Sequence, residues 1–84
     1  MLEARIHVTL KKSVLDPQGD TVRSALASLG FQGVADCRIG KFMVVRLNEQ
    51  DLAQAKHQVD EMCRKLLANP VIEDYVFQIS EVAA

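Results

Sequence analysis

The stretch Ser13 to Phe31, SVLDPQGDTVRSALASLGF, constrains the fold more than any other, because it contains a helix start, an apolar face and a helix stop. Asp16 supplies a side-chain acceptor at the N-cap, and the ring of Pro17 presets φ at the first helical position. Val22, Ala25, Leu26 and Leu29 recur at helical spacing. Gly30 is suited to the left-handed conformation that ends such a run, with Phe31 placed to fold back on it. The pattern predicts a helix over Asp16 to Leu29. Gly19 lies in its first turn, where glycine costs a helix about 1 kcal/mol relative to alanine, so something other than helix propensity holds that position.

The segments on either side are written in a different period. Glu3 to Leu10 alternates, with Ala4, Ile6, Val8 and Leu10 on one face and Arg5, His7 and Thr9 on the other. That is the pattern of a strand buried on one side. Val34 to Ile39 alternates again, Gly40-Lys41 reads as a hairpin turn, and Phe42 to Leu47 reads as a third strand. Asn48 is the expected cap of a second helix whose inner side carries Leu52, Ala55, Val59, Met62, Cys63, Leu66 and Leu67. Asn69-Pro70 stops that helix. Tyr75 to Ser80 gives a fourth strand. The order βαββαβ predicts an α+β fold of the ferredoxin-like kind, a two-layer sandwich with a four-stranded antiparallel sheet and both helices on one face. Residues 1–80 form one domain in this reading, and 81–84 a short tail.

Such a sheet has a second face without helices. Arg5, His7, Thr9, Asp36, Arg38, Phe42, Val44, Arg46, Val76, Gln78 and Ser80 fall on it. Phe42, Val44 and Val76 are poorly placed in water, and burying each is worth roughly 1.5–3 kcal/mol, against a net stability of about 5 kcal/mol or a little more for a small domain. Self-association through Arg5, His7, Phe42, Val44, Arg46 and Val76 is the expectation. The composition agrees. Hydrophobic residues make up 49% of 84, and a chain this short buries only about 60% of the surface it exposes when unfolded.

Other classes of function are poorly served by these residues. Ten basic and eleven acidic residues leave a net charge of −1, so there is no broad positive field for nucleic acid or anionic lipid. The longest apolar run, Phe42 to Val45, is far short of the ~20 residues that span a bilayer. No secretory pattern opens the chain, and a cytoplasmic location is expected. Cys37 and Cys63 lie far apart without metal-ligand spacing and read as reduced core thiols. His7 and His57 have no nucleophile at a recognisable spacing, and Asp60-Glu61 and Glu73-Asp74 read as solvated faces. Gly30-Phe31-Gln32-Gly33 follows a helix instead of opening one, unlike a phosphate loop. The sequence holds no catalytic constellation and no evident cofactor or metal site.

Four blocks, LKKSVLDPQG at Leu10 to Gly19, ALASLGF at Ala25 to Phe31, RIGK at Arg38 to Lys41 and MCRKLLANPVIEDY at Met62 to Tyr75, closely resemble the PurS subunit family of phosphoribosylformylglycinamidine (FGAM) synthase. The resemblance covers nearly the whole chain. It implies a small non-catalytic subunit in de novo purine synthesis, bridging an ATP-dependent synthetase subunit (PurL type) and a glutaminase subunit (PurQ type) and supporting ammonia transfer between them. It implies a homodimer or a dimer of dimers. By the same resemblance the chain binds no cofactor itself, while the complex uses ATP, Mg and glutamine. The shared blocks place candidate partner-binding residues at Asp16, Pro17, Gln18, Gly19, Gly40, Lys41, Asn69 and Pro70, each of which also serves turn or cap geometry. The same architecture hosts ACT-like modules that bind small regulatory molecules, and the fold by itself leaves that alternative open.

Overall fold

The computed structural model describes residues 1–83. Its elements are β1 (Leu2–Leu10), α1 (Pro17–Ser28), β2 (Gly40–Leu47), α2 (Leu52–Met62), a π-helical turn (Cys63–Leu67) and β3 (Glu73–Glu81). The sheet has three strands in the order β2-β1-β3, both pairings antiparallel. One face of β1 is buried at every second residue, with Ala4, Ile6 and Val8 fully covered. Val59, Cys63 and Ala68 close over them, and Met43, Val45, Tyr75, Phe77 and Ile79 of the outer strands pack around this centre.

The fourth strand expected at Val34 to Ile39 is not formed. Gly40-Lys41 is accordingly not a hairpin turn but the start of β2, with Gly40 paired to Thr9 and Lys41 to Val8. The alternation of 34–39 fits a strand, but its backbone groups are taken by the N-cap of α1 and by the segment's own Asp36. The Ile39 amide donates to Asp16 Oδ2 at 2.8 Å, the Cys37 amide donates to the side chain of Asp36, and the Cys37 carbonyl lies against Gly19. Asp36 and Arg38 therefore leave the open sheet face. The Arg38 guanidinium instead donates to the carbonyls of Lys11 and Val14 at 2.7 and 2.8 Å, with that of Leu10 at 3.5 Å. Cys37 is only half-buried, whereas Cys63 is fully buried as expected.

Nor do both helices cover the sheet. α1 is capped by Asp16, whose Oδ1 accepts from the Gly19 amide at 2.9 Å, and it ends as the pattern foretells. Gly30 has φ 101°, and the amides of Gly30 and Phe31 return to the carbonyls of Ala27 and Leu26, a Schellman closure. Yet only Gly19 of α1 is buried, and no α1 side chain joins the core. Leu29 is 74% exposed. The helix projects from the end of the sheet, giving a molecule 49 Å long with a radius of gyration of 16.4 Å, where about 12 Å is usual for this length.

α2 does cover the sheet, through Ala55 and Val59. Its cap is Asp51 and not Asn48: the Asp51 carboxylate accepts from the amides of Ala53 and Gln54. After Met62 the helix widens, and the Ala68 amide reaches back five residues to the Cys63 carbonyl. In an ordinary α-helix Leu66 would sit beside Val59 and Cys63. The wider turn rotates it outward to 82% exposure. Ala68 then becomes extended, two residues before Pro70. β3 runs through Glu81, which pairs with Leu2, and the Val82 amide donates to the Met1 carbonyl. The strand thus takes in the first residue of the expected tail, and Ala84 lies outside the described residues.

Candidate docking surfaces

Two surfaces gather the residues singled out from the sequence. The first is the end of the sheet where β1 finishes and β2 and β3 begin. A cleft of about 260 Å³ there is lined by Val8, Leu10, Asp16, Gln18, Ile39, Gly40, Lys41 and Glu73. Pro17 and Gln18 continue into a shallower apolar hollow with Val22 and Ile39. Asn69 joins from the far side, since Glu73 Oε1 accepts from its amide at 2.7 Å while Glu73 Oε2 lies 3.7 Å from Lys41 Nζ. Pro70 follows it in the same turn. Residues scattered over Asp16 to Pro70 in sequence are thus brought to one end of the molecule.

Asp16 organises that end. Each of its carboxylate oxygens accepts one backbone amide, from Ile39 and from Gly19, and these bonds, with the charge of Arg38, hold its pKa below the ordinary 3.8 despite burial. Bonds to the charged form stabilise that form. Gly19 is required by space. A Cβ there would sit 2.0 Å from the Cys37 carbonyl oxygen. At Gly40 a Cβ would sit 2.3 Å from the Val8 carbonyl oxygen, so β2 approaches β1 at that point as only glycine allows.

The second surface is the open face of the sheet. Its register sets Phe42 and Val76 on either side of His7, and Val44 beside Arg5. The His7 and Phe42 rings lie 4.7 Å apart, tilted by 35°. Phe42, Val44 and Val76 are 54, 50 and 66% exposed. At one end Glu3 lies beneath Arg5 and Arg46, 3.1 and 3.3 Å from their Nε atoms, and is 6% exposed. The sequence reading overlooked Glu3, although the strand register that pairs it with Arg46 follows from the same alternation. It also set Glu73 aside as a solvated acid.

Neither surface holds a nucleophile beside a base. Among the described residues no cluster of three or more His, Cys, Asp or Glu side chains is placed to hold a metal ion, and no helix is long and apolar enough to cross a membrane. The arrangement is suited to contact: an apolar platform with an arginine-clamped carboxylate at its edge, and a braced loop cluster at the sheet end.

The family profile of PurS, phosphoribosylformylglycinamidine (FGAM) synthase, matches residues 3–81. The chain belongs to the PurS family. It is 48% identical over 84 residues to the PurS subunit of Bacillus subtilis, covering 100% of this chain and 99% of that protein. Against the PurS subunit of Synechocystis sp. it is 53% identical over 76 residues, 90% of this chain and 76% of the relative. Among solved structures, PurS of Methanocaldococcus jannaschii superposes with a TM-score of 0.87 at 40% identity, covering 99% of this chain and 100% of that one. A chain of the PurLQS structure from Thermotoga maritima superposes with a TM-score of 0.83 at 27% identity, over 95% of this chain and 99% of that one. As a PurS chain, this protein is a subunit of FGAM synthase in purine biosynthesis.

Proposed function

We propose that this PurS chain acts as the docking subunit of its synthase, bridging the ATP-dependent synthetase and the glutaminase so that ammonia passes from one to the other. The observation that carries this reading is the convergence of Asp16, Pro17, Gln18, Gly19, Gly40, Lys41, Asn69 and Pro70 at one end of the sheet, on turns braced by hydrogen bonds from backbone amides to the carboxylates of Asp16 and Glu73. Rigid loops at one end of a scaffold are a usual place for recognition. The relative of known structure in a PurLQS assembly supports the same reading. In this proposal the loop end meets the synthetase and glutaminase. The open sheet face, through Arg5, His7, Phe42, Val44, Arg46 and Val76, meets a second copy and gives a homodimer or a dimer of dimers. Covering the half-exposed Phe42, Val44 and Val76 is worth about 1 kcal/mol or more each. No cofactor is bound by this chain; ATP, Mg and glutamine belong to the other subunits.

Reconstitution tests this. The purified chain is mixed with a synthetase and a glutaminase of the same source, and complex mass and glutamine-dependent amidine formation are followed. Activity that depends on the chain supports the proposal. Full glutamine-dependent activity in its absence overturns it.

A further inference from the structure

Among the described residues Glu3 and Asp16 are the two buried charged side chains. Asp16 roots a helix, whereas Glu3 holds nothing but two arginines. It lies on the open face of β1, opposite Arg46 of β2 and two residues from Arg5 on its own strand. Its Oε1 accepts from Arg5 Nε and its Oε2 from Arg46 Nε. Each guanidinium thus spends one edge on Glu3, and neither has another hydrogen-bond partner among the described residues. A fork of two terminal nitrogens is left over on each, on side chains 57 and 62% exposed. Val44, Gln78 and Ser80 complete this part of the face without a charge. Ion pairs whose cations are so exposed add little stability, while covering a carboxylate costs its hydration. Stability alone does not account for the arrangement.

We infer that Arg5 and Arg46, aimed by Glu3, form a clamp for a carboxylate on one of the two catalytic subunits; this rests on the docking role proposed for the chain and gives it a second point of contact. Planar guanidinium forks match a carboxylate in pairs of hydrogen bonds. Two cations over one anion leave a net charge of +1, matched to a single carboxylate rather than to a doubly charged phosphate. Position favours the same partner. A bridge needs separate surfaces for the two chains it joins, and the seven residues from Glu3 to Leu10 put the clamp about 23 Å along β1 from the loop end. A second copy does not supply the acid. Laid face to face about a two-fold axis across the strands, it sets β2 over β2 and β1 over β1. The open-face residues of β2 include no acid, and that of β1 is Glu3 itself, already taken. About an axis along β1, Arg5 falls over Arg5 and Arg46 over Ser80. The second copy proposed for this face is therefore served by its apolar centre, Phe42, Val44 and Val76, and leaves both forks free.

Titration of the full chain against purified synthetase and glutaminase of the same source, each separately and then together, tests the clamp. Arg46→Gln and Glu3→Gln are each expected to weaken binding to one of the two subunits about tenfold or more and to leave the other unchanged. Glu3→Gln decides between aim and charge: it makes the spot more positive, so a merely charged patch would hold an acid more tightly, while a clamp without its brace holds it less. Thermal unfolding shows whether Glu3→Gln is folded; if it is not, Arg46→Lys, which keeps the charge and loses the fork, takes its place with the same expected loss. Unchanged affinity in these variants, or tighter binding by Glu3→Gln, overturns the clamp and leaves docking standing. A lowered sedimenting mass of the variant chains alone, with unchanged affinity for both subunits, overturns it in favour of a second copy. A wild-type chain that binds neither subunit nor the two together overturns the docking role along with the clamp.

Discussion

Gly19→Ala sets two well-measured tendencies against each other. Alanine in the first turn of α1 favours the helix by about 1 kcal/mol. Against this, a Cβ at position 19 would lie 2.0 Å from the Cys37 carbonyl oxygen and 2.9 Å from its carbon. Real contacts of this kind do not fall below 3.0 Å, so backbone must move by about 1 Å. That backbone cannot yield freely. Two residues on, the Ile39 amide is bonded to Asp16, and Arg38 between them is tied to the carbonyls of Lys11 and Val14. Overpacking of this sort costs roughly 1–3 kcal/mol, occasionally more. The expected net effect is a loss of up to about 2 kcal/mol, and at about 4–8 °C per kcal/mol for a domain of this size the unfolding midpoint falls by up to about 15 °C. Thermal unfolding by circular dichroism, at fixed protein concentration, reads this directly. Gly33→Ala is the control, for a Cβ there meets nothing within 4 Å. If Gly19→Ala raises the midpoint, helix propensity governs the position and the close approach of Cys37 is refuted.

Other perturbations address the same framework. Arg38→Lys keeps the charge but loses the planar fork, so the Lys11 and Val14 carbonyls lose a shared donor; the expected cost is about 1–3 kcal/mol in a denaturant titration. For Asp16, whose folded pKa is depressed, the stabilisation is fully present above the ordinary value of 3.8 and is lost as pH falls from there through the folded value. In Asp16→Asn that acid limb flattens, which unfolding midpoints measured from pH 6 down to pH 2 will show. Phe42→Asp places a charge on the open sheet face without touching the core. It is expected to leave the helical circular dichroism unchanged and to lower the sedimenting mass, and an unchanged mass would show that the face is not buried in the assembly.

Two of the strands that form were legible because period-two alternation is unambiguous where one face is buried, at Ala4, Ile6 and Val8 and at Tyr75, Phe77 and Ile79, whereas Phe42 to Leu47 showed itself as a short run apolar on both faces apart from Arg46. Val34 to Ile39 alternates just as well. What denies it a place in the sheet is long-range, the claim of Asp16 and Gly19 on its backbone. Asp51 displaces Asn48 as a cap by three residues, a choice local propensity does not separate. The π turn at Cys63–Leu67 has no pattern of its own, and Leu66 continues the apolar stripe it is expelled from. The loop end was half legible. Its turn residues announced themselves, but their convergence depends on three strand ends meeting, and Glu73, which links Asn69 to Lys41, looked like any surface acid.

α1 hangs from its root. Its bearing is set by the bonds at Asp16, the close fit of Gly19 and the grip of Arg38 on Lys11 and Val14, while its far end at Leu29 is unsupported by the chain's own core. A companion that grasps the tip therefore acts on a lever whose fulcrum is the loop leading out of the central strand. The same Asp16 that roots the helix also lines the cleft beside Gln18 and Gly40.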